Sequence, residues 1–318
     1  MDEDITRVAV IGGGYMGGGI AQTFALADLP CFVADIDHET ARAAVKRLVT
    51  EGEDYEKRGL FPVGSHELLR RNLTPARSVE EAVANVGYVT EAVPERIDLK
   101  LPTIRRIGSA VRPGTMIGSN TSAIPIGTLA EALDDRSTFL GVHWMNPAYF
   151  VPSVEVIPNP ETSGDSLATV EALLRRLGKV PTRVADSAGF VANRLQFALF
   201  REAATMVEEG LATPQEIDEV VSNSFGFRLA IFGPFAIADV AGLDVYEASF
   251  RSVEAAFGER MSPPTLLKEK VAEGGLGLKA GGGFLALEST ATEGVAHYRD
   301  RAYHELNALK ERLGPAPI

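Results

Sequence analysis

Several features that define whole classes of protein are scarce or absent in this sequence. The 318 residues include a single cysteine, Cys31, so no disulfide can form within the chain. A disulfide-stabilised secreted domain is therefore excluded, and a reducing compartment is favoured. No apolar run approaches the roughly 18 residues that a membrane-spanning helix needs.

Positive charge is also in short supply. Lys and Arg together number 31 against 43 Asp and Glu, which gives a formal net charge of −12. This balance disfavours nucleic acid and anionic membrane surfaces as partners. Three of the first four residues are acidic, and this segment lacks the basic and apolar regions of a secretory signal. We therefore expect a cytoplasmic protein, and we expect neither a metal centre nor a nucleic-acid or membrane partner.

Glycine is abundant, and a cluster of glycines near the N-terminus forms a motif that indicates function. The segment Val8–Gly17 runs four apolar residues directly into Gly-x-Gly-x-x-Gly, and a helical pattern follows. In a dinucleotide-binding turn, Gly12 would allow the tight turn after the strand. Gly14 would let a pyrophosphate approach the backbone, and Gly17 would let the helix pack closely. The alternative is a glycine-rich surface loop without a ligand.

An acidic residue at the expected distance supports the dinucleotide interpretation. Cys31–Ala34 has the composition of a buried strand, and Asp35 follows it, about 20 residues past the glycines. A carboxylate there can accept hydrogen bonds from ribose hydroxyls and repels a 2′-phosphate. The sequence therefore predicts NAD rather than NADP. Asp37 is better suited to capping the following helix.

The first part of the chain alternates predicted strands with predicted helices. This alternation favours an α/β, Rossmann-like domain with a mostly parallel sheet. The strands are Arg7–Ile11, Cys31–Ala34, Tyr88–Ala92, Met116–Ser119, Phe139–Val142, Ser153–Ile157 and Val180–Ala185. The helices are Gly17–Ala27, Thr40–Lys57, Val79–Ala84, Leu99–Val111, Ile126–Leu133 and Gly164–Leu177. Pro102 fits the fourth of these helices only near its first turn.

The pattern becomes almost entirely helical after residue 185. We expect two domains, an NAD-binding domain over 1–185 and an all-α substrate and dimerisation domain over 186–318. The helices of the second domain are predicted at Phe190–Glu209, Pro214–Phe225, Phe235–Phe257 and Pro264–Ala272. A charged helical tail, Gly294–Leu313, is either a solvated surface helix or a dimer arm.

One histidine and one glutamate stand out as candidates for chemistry. His143 follows an apolar strand, and ligands of open α/β sheets bind at the carboxyl ends of strands. Glu155 lies in another apolar strand, where an unpaired carboxylate is costly. His143 is the best candidate partner, because a buried carboxylate can orient an imidazole that takes a proton. A site for nicotinamide with such a pair indicates alcohol–ketone redox chemistry.

These features occur together with further motifs in a characteristic order. The motifs are Gly12-x-Gly14-x-x-Gly17, Ala92–Glu95, Ser119–Ser122, His143-x-x-Asn146-Pro147, Glu155 and Gly189–Arg194. In this combination the chain resembles the 3-hydroxyacyl-CoA dehydrogenases, and the resemblance extends to about Phe284. It implies an NAD-dependent oxidation of an L-3-hydroxyacyl-CoA and a homodimer formed by the helical domain.

The resemblance also implies roles for individual residues. His143 would be the base that removes the proton of the C3 hydroxyl, and Glu155 would orient it. Ser122 and Asn193 would hydrogen-bond the substrate, and Asn146 would help to hold the site together. From the residues alone, Ser122 could instead cap a helix, and Asn193 could be a polar residue at a helix start.

Other residues would hold the cofactor and the CoA moiety. Glu95 and Lys100 match positions near the cofactor ribose and the nicotinamide. Lys46 and Arg47, on the helix after Asp35, would hold the CoA phosphates, although acidic residues are interleaved with them. Between Asn146 and Glu155 the chain departs from many relatives, which carry a Met-Lys-Leu-like stretch there. Near the end, Leu285 replaces an aromatic residue.

The expected function is therefore reversible NAD-dependent oxidation of an L-3-hydroxyacyl-CoA to the 3-ketoacyl-CoA. One alternative is a related dehydrogenase of a free hydroxy acid, similar to those that act on L-gulonate or carnitine. A second alternative is an NAD-binding protein without turnover, although such a protein does not need both His143 and Glu155.

Overall fold

A computed structural model of the chain describes residues 5–286 and 292–317. The chain divides into two compact units, Met1–Leu199 and Phe200–Ile318. No helix within the described ranges is long and apolar enough to cross a membrane.

The first unit is built on a single sheet. Its eight described strands are β1 (Val8–Ile11), β2 (Cys31–Ala34), β3 (Leu73–Pro75), β4 (Tyr88–Glu91), β5 (Met116–Ser119), β6 (Phe139–Trp144), β7 (Ser153–Pro158) and β8 (Val180–Arg183). They lie in the order β3-β2-β1-β4-β5-β6-β7-β8. All neighbouring pairs are parallel except β6 and β7, which are antiparallel. The strand order reverses between β1 and β4, where ligands of doubly wound sheets bind.

Helices cover the sheet on both faces. They are α1 (Tyr15–Leu26), α2 (His38–Lys57), α3 (Ser65–Asn72), α4 (Val79–Val83), α5 (Ile97–Ala110), α6 (Ile126–Ala130) and α7 (Gly164–Arg176). Alternate residues of β1 enter two different cores: Val8 and Val10 pack with residues of α1, whereas Ala9 and Ile11 pack with residues of α4, α5 and α6. Because both faces are covered, β1 is an unbroken apolar run.

The predicted α/β architecture is confirmed, with local differences. α3 and the short strand β3 were not predicted, because 65–75 is mostly polar and has no strong strand pattern. β6 continues two residues beyond the predicted end, so His143 lies within the strand rather than after it. Pro102 is the sixth residue of α5, beyond the first turn where it was expected.

The second part of the chain is helical, as predicted. α8 (Ala192–Glu208) leads from the first unit into the second, which contains α9 (Pro214–Asn223), α10 (Phe225–Leu229), α11 (Pro234–Ala241), α12 (Leu243–Phe257), α13 (Thr265–Ala272) and α14 (Thr292–Leu313). The single helix predicted over Phe235–Phe257 is wrong. The backbone at Gly242 has φ of 103°, which interrupts the helix and separates α11 from α12.

The charged tail forms α14 and packs within its own unit. Tyr303 lies against Phe227 and Phe232, and Tyr298 lies against Phe232, with ring centroids 5.6 to 6.4 Å apart. Lys310 Nζ donates to Ser222 O at 3.1 Å. The tail is therefore not solvated on all sides.

Candidate active site

The glycine turn between β1 and α1 has the geometry that a dinucleotide requires. Gly12 has φ of 103°, and a Cβ atom there would lie 2.6 Å from Ala92 O on the neighbouring strand end. A Cβ atom at Gly17 would lie 1.8 Å from Gly12 O. At Gly14, by contrast, a Cβ atom would meet no protein atom within 4 Å. The turn is therefore closed on the protein side at Gly12 and Gly17 and open at Gly14, where a pyrophosphate can approach.

Two acidic residues follow β2 and have different tasks. Asp35 Oδ2 accepts a hydrogen bond from Gly13 N at 2.7 Å, and Asp35 Oδ1 accepts one from Ile36 N at 2.8 Å. Asp37 caps α2 by accepting from Thr40 N at 2.8 Å, as expected. This hydrogen bond is the main reason why the pKa of Asp37 is lowered. Asp35 thus links the end of β2 to the glycine turn.

Three basic residues in α2 and just after it are paired with acidic neighbours one turn away. Arg47 contacts Glu51, and two further pairs are Lys57 with Glu53 and Arg58 with Asp54. Arg47 also donates to Gly13 O at 2.8 Å. Its guanidinium therefore joins α2 to the glycine turn, and its expected role as a CoA ligand stays a prediction. Lys46 is exposed.

His143 and Glu155 are brought together by the antiparallel pairing of β6 and β7. The two residues lie directly opposite each other in the strand register. His143 Nδ1 and Glu155 Oε2 are 2.8 Å apart, and the two residues are each only 4% exposed. The partner that was predicted for the buried carboxylate is therefore present. With Glu155 ionised, this contact leaves the proton on Nδ1 and leaves Nε2 free to accept one.

The second oxygen of Glu155 holds the start of α8. Glu155 Oε1 accepts hydrogen bonds from Val191 N and Ala192 N, both at 2.9 Å. The chain turns towards this carboxylate at Phe190, which has φ of 47° and a buried side chain. The Phe190 ring lies 5.6 Å from the His143 ring, measured between centroids. The sequence did not single out Phe190 as a residue of the site, because a phenylalanine gives no indication that its backbone adopts a positive φ angle.

Ser122 and Asn193 contact each other at the start of α8. Asn193 Nδ2 donates to Ser122 O at 3.1 Å. Ser122 is not a helix cap, because the N-cap of α6 is Pro125. Its neighbours in the chain are fixed by Glu95, whose Oε1 accepts from Thr121 Oγ1 at 2.6 Å and from the backbone N–H groups of Ser122 and Ala123.

Glu95 is a partly exposed carboxylate that stays ionised. Burial, the largest single effect, acts to raise the pKa of Glu95. The hydrogen bond from Thr121, the backbone N–H groups of Ala123 and Ser122, and the charge of Lys100 together outweigh it, so the pKa is lowered.

Lys100 is completely buried and contacts two carboxylates. Its Nζ lies 2.9 Å from Glu91 Oε1 and 3.4 Å from Glu95 Oε2. Glu91 is also completely buried and accepts hydrogen bonds from Ser119 Oγ and Val93 N. Lys100 therefore supports Glu95 from inside the protein, and its place near the cofactor ribose and nicotinamide, which the resemblance implied, stays a prediction. The sequence analysis did not identify Glu91, although Glu91, like Glu155, is a carboxylate in an apolar strand and therefore needs a buried partner.

Asn146 is exposed, and no hydrogen bond of its side chain is found among the described residues. The bracing contact expected of it is made instead by Asn120, whose Oδ1 accepts from Trp144 N at 2.9 Å. This bond ties the end of β5 to the end of β6, next to His143.

The segment that departs from many relatives is fixed by one lysine. Lys179 Nζ donates to Ala148 O, Tyr149 O and Val151 O at 2.6, 2.7 and 3.0 Å. Burial lowers the pKa of Lys179. Tyr149 packs on Phe61. The conformation of 148–151 is thus held through its main chain.

The sheet order and the open glycine turn at the point where that order reverses define a dinucleotide-binding protein with a doubly wound sheet. Residues 7–187 match the model of the 3-hydroxyacyl-CoA dehydrogenase NAD-binding domain, and residues 189–287 match that of the C-terminal domain. The chain therefore belongs to the 3-hydroxyacyl-CoA dehydrogenase family, whose members act on CH–OH groups with NAD.

Relatives of similar length carry different names. A 5-formyl-3-hydroxy-2-methylpyridine 4-carboxylate 5-dehydrogenase of Mesorhizobium japonicum is 31% identical over 299 residues, 93% of this chain and 96% of the relative. A probable 3-hydroxybutyryl-CoA dehydrogenase of Bacillus subtilis is 33% identical over 287 residues, 90% and 98% of the two chains. The crystal structure of a 3-hydroxyacyl-CoA dehydrogenase from Archaeoglobus fulgidus matches with a TM-score of 0.76 at 32% identity, covering 97% of this chain and 99% of that one.

Proposed function

We propose that this protein oxidises the C3 hydroxyl of an L-3-hydroxyacyl-CoA to the ketone, reversibly, with His143 as the general base. The observation that carries the proposal is the buried contact between His143 Nδ1 and Glu155 Oε2 at 2.8 Å. A general base must present a free nitrogen with a fixed orientation, and this contact provides both.

The proton and the hydride leave the substrate separately. His143 Nε2 takes the hydroxyl proton, which gives an imidazolium next to the Glu155 carboxylate. The turn of Gly12, Gly14 and Gly17 would hold NAD, which would supply the acceptor for the hydride that leaves C3. The carbonyl forms from the electrons of the O–H bond, and Glu155 stabilises the positive charge on the imidazolium without taking the proton.

Ser122 and Asn193 supply the polar groups that orient the substrate oxygen. The position of Asn193, bonded to Ser122 O at the start of α8, supports this role. Glu155 fixes the same helix start through Val191 N and Ala192 N. One carboxylate therefore sets the positions of the base and of a substrate-binding group.

We also propose Glu95 and Asp35 as ribose ligands.

A free hydroxy acid is the second candidate substrate, and it differs from the first in carrying no CoA on the reacting acyl chain. Lys46 and Arg47 stay proposed for the CoA phosphates, but Arg47, like Lys57 and Arg58, already pairs with an acidic neighbour, which weakens the case for CoA. The name of the Mesorhizobium japonicum relative describes a pyridine carboxylate without CoA. Free acids similar to L-gulonate or carnitine are therefore the second class to test.

A substrate panel distinguishes these classes. NADH absorbance is followed with L-3-hydroxybutyryl-CoA, the matching acyl-pantetheine and free 3-hydroxy acids. The proposal predicts the highest kcat/KM for the acyl-CoA. A higher kcat/KM for a free acid would replace the CoA assignment and leave the His143 mechanism in place.

The His143→Gln variant tests the mechanism itself. Its kcat should fall by on the order of 10²–10⁴, the usual contribution of general base catalysis. NAD affinity should remain near that of the wild type, because the glycine turn is unchanged. Normal turnover by this variant would contradict the mechanism for either class of substrate, and no turnover of any substrate by the wild type would favour a binding protein.

We also propose an organisation for the whole chain, with a cofactor domain over 1–185, a substrate and dimerisation domain over 186–318, and a cytoplasmic homodimer. Light scattering after gel filtration checks the dimer directly, and a monomeric mass would contradict it.

A further inference from the structure

Arg47, which the resemblance assigned to CoA, contacts the glycine turn. Arg47 Nη2 donates to Gly13 O at 2.8 Å and lies 3.5 Å from Gly14 O. Arg47 Nη1 contacts Glu51 at 3.1 Å. The planar guanidinium thus spans from α2 to the turn between β1 and α1.

The peptide groups of Gly13 are held from two sides. Its N–H donates to Asp35 Oδ2 at 2.7 Å, while its carbonyl oxygen accepts from Arg47. Gly13 has no side chain that could fix the turn. The orientation of these peptides therefore depends on two side chains that lie outside the glycine motif, one at the end of β2 and one in the middle of α2.

Gly18 provides the space that Arg47 occupies. A Cβ atom at Gly18 would lie 3.2 Å from Arg47 Nη2 and 2.8 Å from Leu48 Cδ2. The glycine that follows Gly17 thus lets the guanidinium lie close to α1, at the helix end that faces the phosphates.

We infer that Arg47 is a positioning residue for NAD, which holds the phosphate-binding turn through the carbonyl of Gly13 and brings a positive charge next to the pyrophosphate. In a chain with a net charge of −12, this cation also reduces the repulsion of an anionic cofactor. The inference depends on NAD binding at the glycine turn and does not depend on which substrate is oxidised.

The experiment is isothermal titration of the protein with NAD in the absence of substrate. Arg47→Gln should raise the Kd for NAD about three- to tenfold, as expected for a partly exposed charged hydrogen bond with an anion nearby. Arg47→Lys keeps the charge and one donor and should give an intermediate Kd. Melting curves without NAD show that the variants are folded.

Two neighbouring residues give matched controls. Glu51→Gln removes the ion pair but leaves the bond to Gly13 O, and Lys46→Gln removes a positive charge from the same helix without touching the turn. Both should bind NAD within about twofold of the wild type. If Lys46→Gln weakened NAD binding as much as Arg47→Gln, a general effect of charge would explain the result and the inference would be wrong. It would also be overturned by an unchanged NAD Kd in Arg47→Gln, whatever happened to the KM for an acyl-CoA.

Discussion

Glu155 shows how much a single carboxylate can determine at the scale of a residue. Its Oε2 contacts His143 Nδ1, and its Oε1 accepts from the backbone N–H groups of Val191 and Ala192. All three groups can donate, so a residue that only accepts is required at this position. The negative charge is stabilised by the start of α8 before the reaction begins.

Glu155→Gln is expected to lower kcat by on the order of 10²–10⁴ while the protein remains folded. The amide oxygen must face Val191 N and Ala192 N, because the amide nitrogen would oppose two donors there. The amide nitrogen then donates to His143 Nδ1, which forces the proton onto Nε2 and removes the base. Steady-state kinetics with a melting curve check this, and a kcat within tenfold of the wild type would contradict it.

The glycine turn gives a prediction in which two similar substitutions act differently. Gly14→Ala should fold normally and bind NAD weakly, because its Cβ atom meets no protein atom within 4 Å and occupies the space left for the pyrophosphate. Gly17→Ala should lower the melting temperature as well, because its Cβ atom would lie 1.8 Å from Gly12 O. Titration with NAD and thermal unfolding of both variants separate the two effects. Equal melting temperatures for the two variants would contradict this assignment.

At the scale of secondary structure elements, the sequence predicted the strands and helices with strong periodicity and missed those without it. β1 and β2 were found because both sheet faces are buried, which makes them apolar runs. The short strand β3 ends in Pro75 and lies at the edge of the sheet, where fewer residues are buried. The break at Gly242 was missed, because a glycine within a helical pattern does not reveal its φ angle.

The contact between α7 and β8 gives a prediction about pH. Glu171 of α7 is largely buried and contacts Arg183 of β8 and Arg175 one turn away. The hydrogen bond from Arg183 is the main reason why the pKa of Glu171 is lowered. A lowered pKa means that the contact contributes its full stability above the ordinary pKa of 4.5 and loses it as the pH falls below that value.

Glu171→Gln should therefore reduce the dependence of the free energy of unfolding on pH below about 4.5. Chemical denaturation of the wild type and the variant over a series of pH values measures this. The two proteins should lose stability along different slopes in the acid range, and parallel slopes would show that Glu171 does not titrate as proposed.

At the scale of the whole molecule, the two-part organisation follows from the change in sequence pattern, whereas the details of the second unit do not. The glycine-rich segment Gly274–Gly283 is arranged around Asp239, whose oxygens accept from Phe284 N and Leu285 N. A Cβ atom at Gly277 or Gly283 would collide with Asp239. Asp239 lies in an ordinary helical pattern, so nothing in the sequence connects it to glycines some 40 residues away.

Removal of the chain after residue 286 tests the role of α14. The truncated protein should unfold at a lower temperature, because Phe227 and Phe232 lose the rings of Tyr298 and Tyr303. Its Kd for NAD should stay within about twofold of the wild type, because the glycine turn belongs to the first unit. Thermal unfolding and titration check both expectations, and an unchanged melting temperature would show that α14 is dispensable for stability.

The anchoring of 148–151 by Lys179 has a consequence for how such a protein can diversify. Lys179 Nζ donates to three carbonyl oxygens of this segment, which every amino acid supplies, and it also lies 6.0 Å from the centre of the Tyr149 ring. The hydrogen bonds from Lys179 can form with other side chains at 149–151, whereas the packing of Tyr149 and Phe150 on Phe61 would change with them. The strand register that joins His143 to Glu155 flanks the segment on both sides and is independent of those side chains. Substitutions in this short segment therefore offer a way to change its surface while the Lys179 hydrogen bonds and the register of His143 with Glu155 are kept.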